Sequence, residues 1–290
     1  MSVLLRDPGP ETLAAATRGD LAALDAVITA IQDGVHNLAV RMLGHRDDAA
    51  DATQEILLKV VTHLGSFRGE AAFTTWVFQV ARNHLLNAVT RAREPPMQSL
   101  DAMAERLDAG LEFAAQLAPG AHSDPTPEER LAARQLGLAC TQNMLMALDR
   151  EQRLVMILDS VFDLPSRQAA EVLGCSPEAY RQRLSRARAR LDAFVGQRCG
   201  LASPEARCRC DRQLPAVAAA RAAGQPMAAP LARSRRETAE LEQRFDALRQ
   251  LGDAAALLRA HPDYQAPDTM RQAIRGVLQA SGWWTGGTLQ

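Results

Sequence analysis

The sequence predicts an all-α protein, and three observations carry that prediction. Aromatic residues make up only 4% of the 290-residue chain, whereas sheets favour aromatic and β-branched side chains on their pleated surfaces. Alanine, leucine and arginine, all good helix formers, recur along the whole chain. Apolar residues return at i, i+3, i+4 and i+7 instead of alternating, which is the period of a helix that buries one face. The expected architecture is two helical domains joined by a flexible linker, followed by a mostly helical C-terminal extension.

Taken in order, residues 1–10 read as a loose tail. Glu11 to Leu43 then reads as one or two amphipathic helices, with Leu21, Leu24, Val27, Ile28, Ile31, Val35, Leu38 and Leu43 among the core candidates. Gly44 to Arg46 marks a turn. The next stretch, DDAADATQEILLKVVTHLGSF, pairs an apolar stripe (Ile56, Leu57, Val60, Leu64) with three carboxylates, Asp48, Asp51 and Glu55, at i, i+3 and i+7. Like charges stacked this way repel by a few tenths of a kcal/mol per pair (about 0.2–0.5) and do not help the helix. Two readings stand on the residues alone, a solvated face or a dock for a basic partner. A metal site there is disfavoured, since His45 is the one nearby histidine and falls in the turn.

A polar loop, Arg68-Gly69-Glu70, precedes a helix expected from about Ala72 to Arg93. Phe73, Trp76, Val77, Val80, Ala81, Leu85 and Val89 fit a core face. Phe73 and Thr74, with Arg68 and the run Arg82-Asn83-His84, also place aromatics among hydrogen-bond donors. That mixture suits stacking on unpaired bases, although aromatics at helical spacing are more often core. Glu94 to Arg130 reads as a linker, with Pro95-Pro96 and Pro119-Gly120, then Pro125 and Pro127, and one short helix expected from Leu100 to Leu107. Leu131 to Leu148 should open the second domain.

The most sharply punctuated stretch runs from Arg150 to Val195. Leu154, Ile157, Leu158 and Val161 form one apolar stripe, and Asp163-Leu164-Pro165 breaks it. A short helix from Ser166 to Leu173 follows, stopped by Gly174. Ser176 is placed as an N-cap and Pro177 as the first residue of the next helix. That helix carries Arg181, Arg183, Arg186, Arg188 and Arg190 around a core stripe of Tyr180, Leu184, Ala187 and Leu191. A helix-turn-helix sets its second helix into the major groove, N-terminal residues at base edges and basic residues on phosphates. Here Glu178, Ala179, Arg181 and Gln182 take the base edges, and the later arginines, Arg186 and Arg188 among them, take the backbone. An arginine-rich surface helix closing a bundle is the plainer alternative.

Composition bounds the function. The net charge is −1, so nucleic-acid binding must rest on local patches and not on a global basic field. No apolar run approaches a membrane span, and MSVLLRDPGP lacks a basic region followed by an apolar core; a cytoplasmic protein without membrane contact is expected. Five cysteines, an odd number, argue against a secreted disulfide framework. No phosphate loop, carboxylate pair or nucleophile motif marks an enzyme.

In combination these motifs resemble a family. HRDDAADATQEILLKVVTHLGSFRGEAAFTTWVFQVARNHLLNAVTRARE resembles region 2 of the group 4, extracytoplasmic-function (ECF) sigma factors of bacterial RNA polymerase, and Arg150 to Val195 resembles their region 4. The resemblance covers roughly residues 20–195. It implies region 2 over 11–94, an acidic flexible linker over 95–130, region 4 over 131–196 and an additional extension over 197–290. It also implies a sigma factor that binds core RNA polymerase and promoter DNA, with an anti-sigma factor as a further partner. Asp48, Asp51, Gln54 and Glu55 match the acidic helix that docks on the polymerase clamp helices. Phe67 to Thr75 matches the loop that captures a flipped base of the −10 element, and Arg82, Asn83, His84 and Asn87 match the helix along the −10 strand. Pro177 to Arg190 matches the −35 recognition helix, with Ser176, Ser185, Arg186 and Arg188 among its DNA contacts. A helix-turn-helix regulator acting on duplex DNA without polymerase is the alternative, and it leaves the acidic helix and FRGEAAFTTW without a role.

The chain departs from the minimal members of the family after residue 196. Cys199, Cys208 and Cys210 stand in C-x8-C-x-C spacing, with His261 as a distant fourth candidate. No cofactor is required by this reading, but thiolates bind zinc or copper(I) well, and the same thiols suit a redox switch or simple packing. Leu231 to Leu258 reads as one long helix or two, and the chain closes with a short helix and an exposed-looking Trp283-Trp284.

Overall fold

The computed structural model describes residues 5–87, 99–117, 126–224, 254–259, 261, 263–281, 284–285 and 288–289. Described secondary structure is helical apart from two two-residue strands, β1 (Trp284–Thr285) and β2 (Thr288–Leu289), paired antiparallel. Residues group into two compact units that cut across the segments expected from sequence. One holds residues 1–93, 162–181 and 263–290, the other 94–161 and 182–262.

In the first unit, α1 (Pro10–Thr17), α2 (Leu21–Leu43), α3 (Arg46–Thr62) and α4 (Phe73–Asn87) build the core. Asp20 caps α2 by accepting from the Ala23 amide at 2.8 Å, which satisfies one of the orphan donors of a helix start. Leu24, Val27, Ile28, Ile31, Val35 and Leu38 are buried along α2, and Ile56, Leu57 and Val60 along α3, which packs against it. The N-terminal stretch is not a loose tail throughout: Leu5 is buried, and the Arg6 amide donates to the Ala30 carbonyl at 3.0 Å. Gly34 permits this, because a Cβ there would stand 2.8 Å from the Leu5 side chain.

A buried polar link joins α2 to α3. The Thr53 hydroxyl donates to the Ala49 carbonyl, so the His36 Nδ1–H is the donor toward Thr53 Oγ1 at 3.2 Å. Burial, reinforced by the Arg46 charge, lowers the His36 pKa to about 4, and the ring is neutral at pH 7.

Two segments distant in sequence complete this unit. Helix α8 (Ser166–Leu173) packs on α4, and α12 (Met270–Ala280) packs on α2 and α3 with Met270, Ile274 and Leu278 buried. The tail is fastened by polar contacts as well. Tyr264 lies under the Arg41 guanidinium, 5.0 Å from ring centroid to carbon, the Ala266 amide donates to Asp33 at 3.0 Å, and Arg275 Nε donates to Asp25 at 2.9 Å.

The second unit contains α5 (Leu100–Leu117), α6 (Pro127–Met146), α7 (Arg150–Ser160), most of α9 (Pro177–Arg198), α10 (Cys210–Ala222) and α11 (Ala254–Arg259). Two expectations change here. The linker helix ends at Leu117, ten residues beyond the expected stop, because α10 packs along it. Helix α6 starts at Pro127, four residues before the expected start. Thr126 accepts from the Glu129 amide at 3.2 Å while the Glu129 carboxylate accepts from the Thr126 amide at 2.8 Å, a capping box with proline at the first helical position. The buried Arg153 guanidinium of α7 donates to the Leu145, Met146 and Leu148 carbonyls at 3.0–3.1 Å, so it satisfies carbonyls that the end of α6 leaves open.

The expected continuation to Arg93, the linker residues Pro95, Pro96, Pro119 and Pro125 and most of Leu231 to Leu258 lie outside the described residues, as do the Trp283 and Trp284 side chains.

Candidate functional site

Helix α3 is two-faced. Ala49, Ala52, Ile56, Leu57 and Val60 are buried, and Asp51 and Glu55 are exposed on the other side, with Asp48 and Gln54 partly exposed beside them. Asp47 and Asp48 occupy the first turn, where the helix dipole favours negative charge. The Glu55 side chain is 64% exposed. The four docking residues expected from the sequence therefore lie together on one surface.

The stretch expected to hold unpaired bases divides differently. Arg68 is exposed at the loop and Thr74 half-buried, with Asn83 exposed and Arg82 partly so on α4. Two expected DNA contacts need correcting. Phe73 is 1% exposed, packed in a cluster with Phe67 and Trp76 at ring separations of 5.5–5.9 Å, so it anchors the start of α4 and presents no stacking face. His84 is also buried, and its Nδ1 accepts from Lys59 at 3.0 Å with Glu55 3.8 Å away. Burial and then Lys59 lower its pKa, so it ties α4 to α3 as a neutral ring. In both cases helical spacing fitted core and surface equally, and the core takes the larger apolar area. The Asn87 side chain lies outside the described residues.

The turn before α9 is built as its residues require. Gly174 ends α8 in the left-handed region with φ 62°, and Asp163, at φ 51°, makes the bend after α7; aspartate tolerates that region better than most side chains. Ser176 accepts from the Ala179 amide at 3.1 Å, capping α9 ahead of Pro177. Tyr180, Leu184, Ala187 and Leu191 are buried along one side, which leaves Ser176, Glu178, Arg181, Gln182, Ser185, Arg186 and Arg188 exposed and Ala179 half-exposed.

Several of these cations are held by acids. Arg181 pairs with Glu178 at 2.9 Å, and hydrogen bonds from the backbone and from Arg181 lower the Glu178 pKa. Arg188 pairs with Asp159, and Arg183 with Glu151 at 3.5 Å. Both acids belong to α7, whose role in aiming α9 was not anticipated from the sequence. Pairs this exposed are worth about 0–1 kcal/mol.

The extension's cysteines are brought together with one that sequence spacing set apart. Cys199 follows α9, Cys208 is paired with it through a backbone bridge, with the Gly200 amide donating to the Cys208 carbonyl at 3.0 Å, and Cys210 opens α10. Helix α10 packs on α6, which carries Cys140. All four are free thiols. Burial raises the pKa of Cys140, and the other three thiols add to that rise. Burial likewise pushes Cys210 to about 12 and raises Cys208. Among the described residues, no three His, Cys, Asp or Glu side chains already stand in metal-binding geometry. His261 is buried beside Cys140's neighbour, hydrogen-bonded to Thr141. Among the described residues no helix is long and apolar enough to cross a membrane.

Comparison with known proteins agrees with this layout. The sigma-70 region 2 family matches residues 27–94 and the sigma-70 region 4 family matches 138–191. The RNA polymerase sigma-H factor of Pseudomonas aeruginosa is 31% identical over 181 residues, covering 60% of this chain and 87% of that protein. The ECF RNA polymerase sigma-E factor of Escherichia coli is 28% identical over 180 residues, covering 61% and 89%. A solved structure of the sigma factor RpoE with the anti-sigma factor NepR from Bartonella quintana aligns at 19% identity over 58% of this chain and 93% of that one. Its TM-score is only 0.37, so nothing further rests on it. With both regions present in order around an acidic helix and a capped basic helix-turn-helix, the chain belongs to the sigma-70 family, as an RNA polymerase sigma factor of the extracytoplasmic-function group.

Proposed function

We propose that the chain docks on core RNA polymerase through Asp48, Asp51, Gln54 and Glu55, and directs initiation at promoters whose −10 and −35 elements it reads. The observation that carries this reading is the two-sided α3, where an apolar face is buried and the carboxylate face is presented to solvent. Arg68, Thr74, Arg82, Asn83 and Asn87 serve the −10 strand, and the exposed residues from Ser176 to Arg188 serve the −35 duplex. Members of the family are non-catalytic regulatory subunits, and this chain performs no chemistry of its own in the cytoplasm where it meets polymerase. An anti-sigma factor is a further partner. The test is a pull-down of core polymerase by the full chain and by Asp51→Arg/Glu55→Arg. Binding that is lost in the folded double variant supports the reading, and binding that survives charge reversal overturns it.

The extension is read as a metal-responsive element. Cys199, Cys208 and Cys210 supply thiolates for zinc or copper(I), and the nearness of Cys140 supports a fourth ligand, a better fourth than His261, which is engaged by Thr141. Native mass spectrometry of the full chain with each ion decides it. One ion bound per wild-type chain and none in Cys199→Ser/Cys208→Ser supports the site. No uptake by the reduced wild type removes it.

A further inference from the structure

The loop that follows α9 holds two thiols side by side. Cys199 stands directly after the helix, its amide donating to the Val195 carbonyl at 2.8 Å, and a parallel backbone bridge pairs it with Cys208. The residues between them fold into a compact turn. The Ser203 and Ala202 amides donate to the Cys199 carbonyl at 2.9 and 3.1 Å, and the Ala206 amide donates to the Ser203 carbonyl at 3.1 Å. Arg209 braces the turn, its guanidinium donating to the Pro204, Ala206 and Cys208 carbonyls. Gly200 leaves room for this arrangement, since a Cβ there would meet the Cys208 carbonyl at 2.6 Å as well as the guanidinium.

We propose that Cys199 and Cys208 are a disulfide-forming pair, closed by a peroxide and reopened by thiol reductants. A closed pair cannot ligate an ion, so oxidation and metal uptake exclude one another at the extension. The pair itself stands on the loop geometry, and only the exclusion rests on the metal-site reading above.

Distance selects this pair over its neighbour. Bridge partners stand about 4.8 Å apart across a ladder, inside the roughly 4.4–6.8 Å between Cα atoms that a disulfide accepts. Arg209 is extended, with φ −126° and ψ 139°. That sets Cys210 about 6.7 Å from Cys208 at the usual rise of a strand, the outer edge of the accepted span. Cys208 also lines a cavity of about 300 Å³, several times the roughly 30 Å³ of a water molecule, which lets a peroxide reach the pair. Burial raises the Cys208 pKa, but Gln213 Nε2 donates to its sulfur at 3.7 Å and Arg209 lies nearby, and both favour the thiolate. Where glutathione keeps thiols reduced the pair is open.

The chemistry needs only the peroxide. One thiolate attacks a peroxide oxygen, the O–O bond breaks, and the sulfur becomes a sulfenic acid as hydroxide leaves. The second sulfur attacks the sulfenic sulfur, the S–S bond forms and a second hydroxide leaves. The two hydroxides take up the two thiol protons. Two thiols and one peroxide thus give one disulfide and two waters, the peroxide gaining the two electrons that the sulfurs lose.

The test maps the disulfide. The full chain, reduced and stripped of metal, is treated with hydrogen peroxide, its remaining thiols are alkylated, and trypsin is added. Cleavage after Arg198, Arg207 and Arg209 separates the three extension cysteines, so each pairing gives its own linked mass. The expected product joins residues 199–207 to residues 208–209, with Cys140, Cys175 and Cys210 alkylated, and dithiothreitol reverses it. Gly200→Ala, which forces the paired backbones apart without touching either sulfur, should slow closure at least about fivefold. A dominant pairing through Cys210 or Cys140 would overturn the proposal, as would thiols that all remain free or a Gly200→Ala rate equal to wild type. Cys199→Ser and Cys208→Ser should each abolish the linked peptide, and its persistence in either would count equally against the pair. Native mass spectrometry with zinc then compares the reduced and oxidised chains. Uptake by the reduced chain alone supports the exclusion, and equal uptake by both overturns it. A reduced chain that takes up no zinc while the disulfide maps as expected overturns the metal-site reading and leaves the pair standing, so the two failures are distinguishable.

Discussion

Helices α3 and α4 lie side by side in one unit and are joined by the Lys59–His84 contact, yet they are left in opposite states. The functional face of α3 is presented to solvent, with Glu55 64% exposed, whereas the stripe on α4 from Thr75 to Arg82 is covered by α8. The difference follows from side-chain chemistry. A row of carboxylates cannot be buried without a cationic partner of matching geometry, so α3 keeps its docking face outward. The α4 stripe includes Phe78 and the apolar parts of threonine and glutamine, which gain by being covered. The charged surface thus stays open to solvent, and the mixed apolar and amide surface is covered.

The strongest way to break the comparison is to reverse the open face. Asp51→Arg/Glu55→Arg should cost about 4 kcal/mol of polymerase affinity, in the range expected when charged pairs at an interface are disrupted, and pull-down should fall below detection. The same variant should melt close to wild type, since exposed substitutions usually shift stability by about 0.5 kcal/mol or less.

The buried side of α3 should respond in the reverse manner. Leu57→Ala, at a fully buried position, should cost about 3 kcal/mol of stability from lost burial and the cavity left behind, measured by urea unfolding.

Acid should loosen the α2–α3 pairing beneath both faces. His36 is held neutral with a pKa of about 4 against an ordinary 6.5, so the unfolded chain takes up a proton in a range where the folded one does not. Stability is full above pH 6.5, falls as the pH drops below it, and levels off near pH 4. Between pH 8 and pH 5 this one histidine should remove about 2 kcal/mol. Urea midpoints across that range, with His36→Asn as the control that flattens the loss, check the sign and the size.

The smallest effect should come from loosening the covered face. Gln168→Ala removes one hydrogen bond from α8 to α4 and should cost about 1 kcal/mol of stability. Urea unfolding reads it, and an unchanged midpoint would show that the bond contributes nothing net.

Local chemistry made much of this legible in advance. The Gly174 stop, the Ser176 cap, Pro177 and the stripe from Tyr180 to Leu191 act over four residues or fewer, and each does in the structure what its residue type dictates. The carboxylate row of α3 was equally visible, because i, i+3 and i+7 place side chains on one face of a helix regardless of what lies elsewhere. The capping box at Thr126 and Glu129 belongs to the same class; its signature is in the sequence, but the surrounding prolines drew attention to a linker instead.

What the amino-acid sequence determined by itself, then, is the helical class, where α8 stops and how α9 begins, and which sides of α3 and α9 repel burial. Tertiary structure alone decided that Phe73 and His84 turn inward, that Cys140 joins the extension's thiols, that the tail from Tyr264 through α12 fastens to α2 and α3, and that α8 rests on α4. The reason is the range of the forces involved. Caps and stripes are set by hydrogen bonds and spacing within one or two turns, but an apolar or amphipathic side chain can satisfy itself against any complementary surface, and which surface it meets depends on residues scores of positions away.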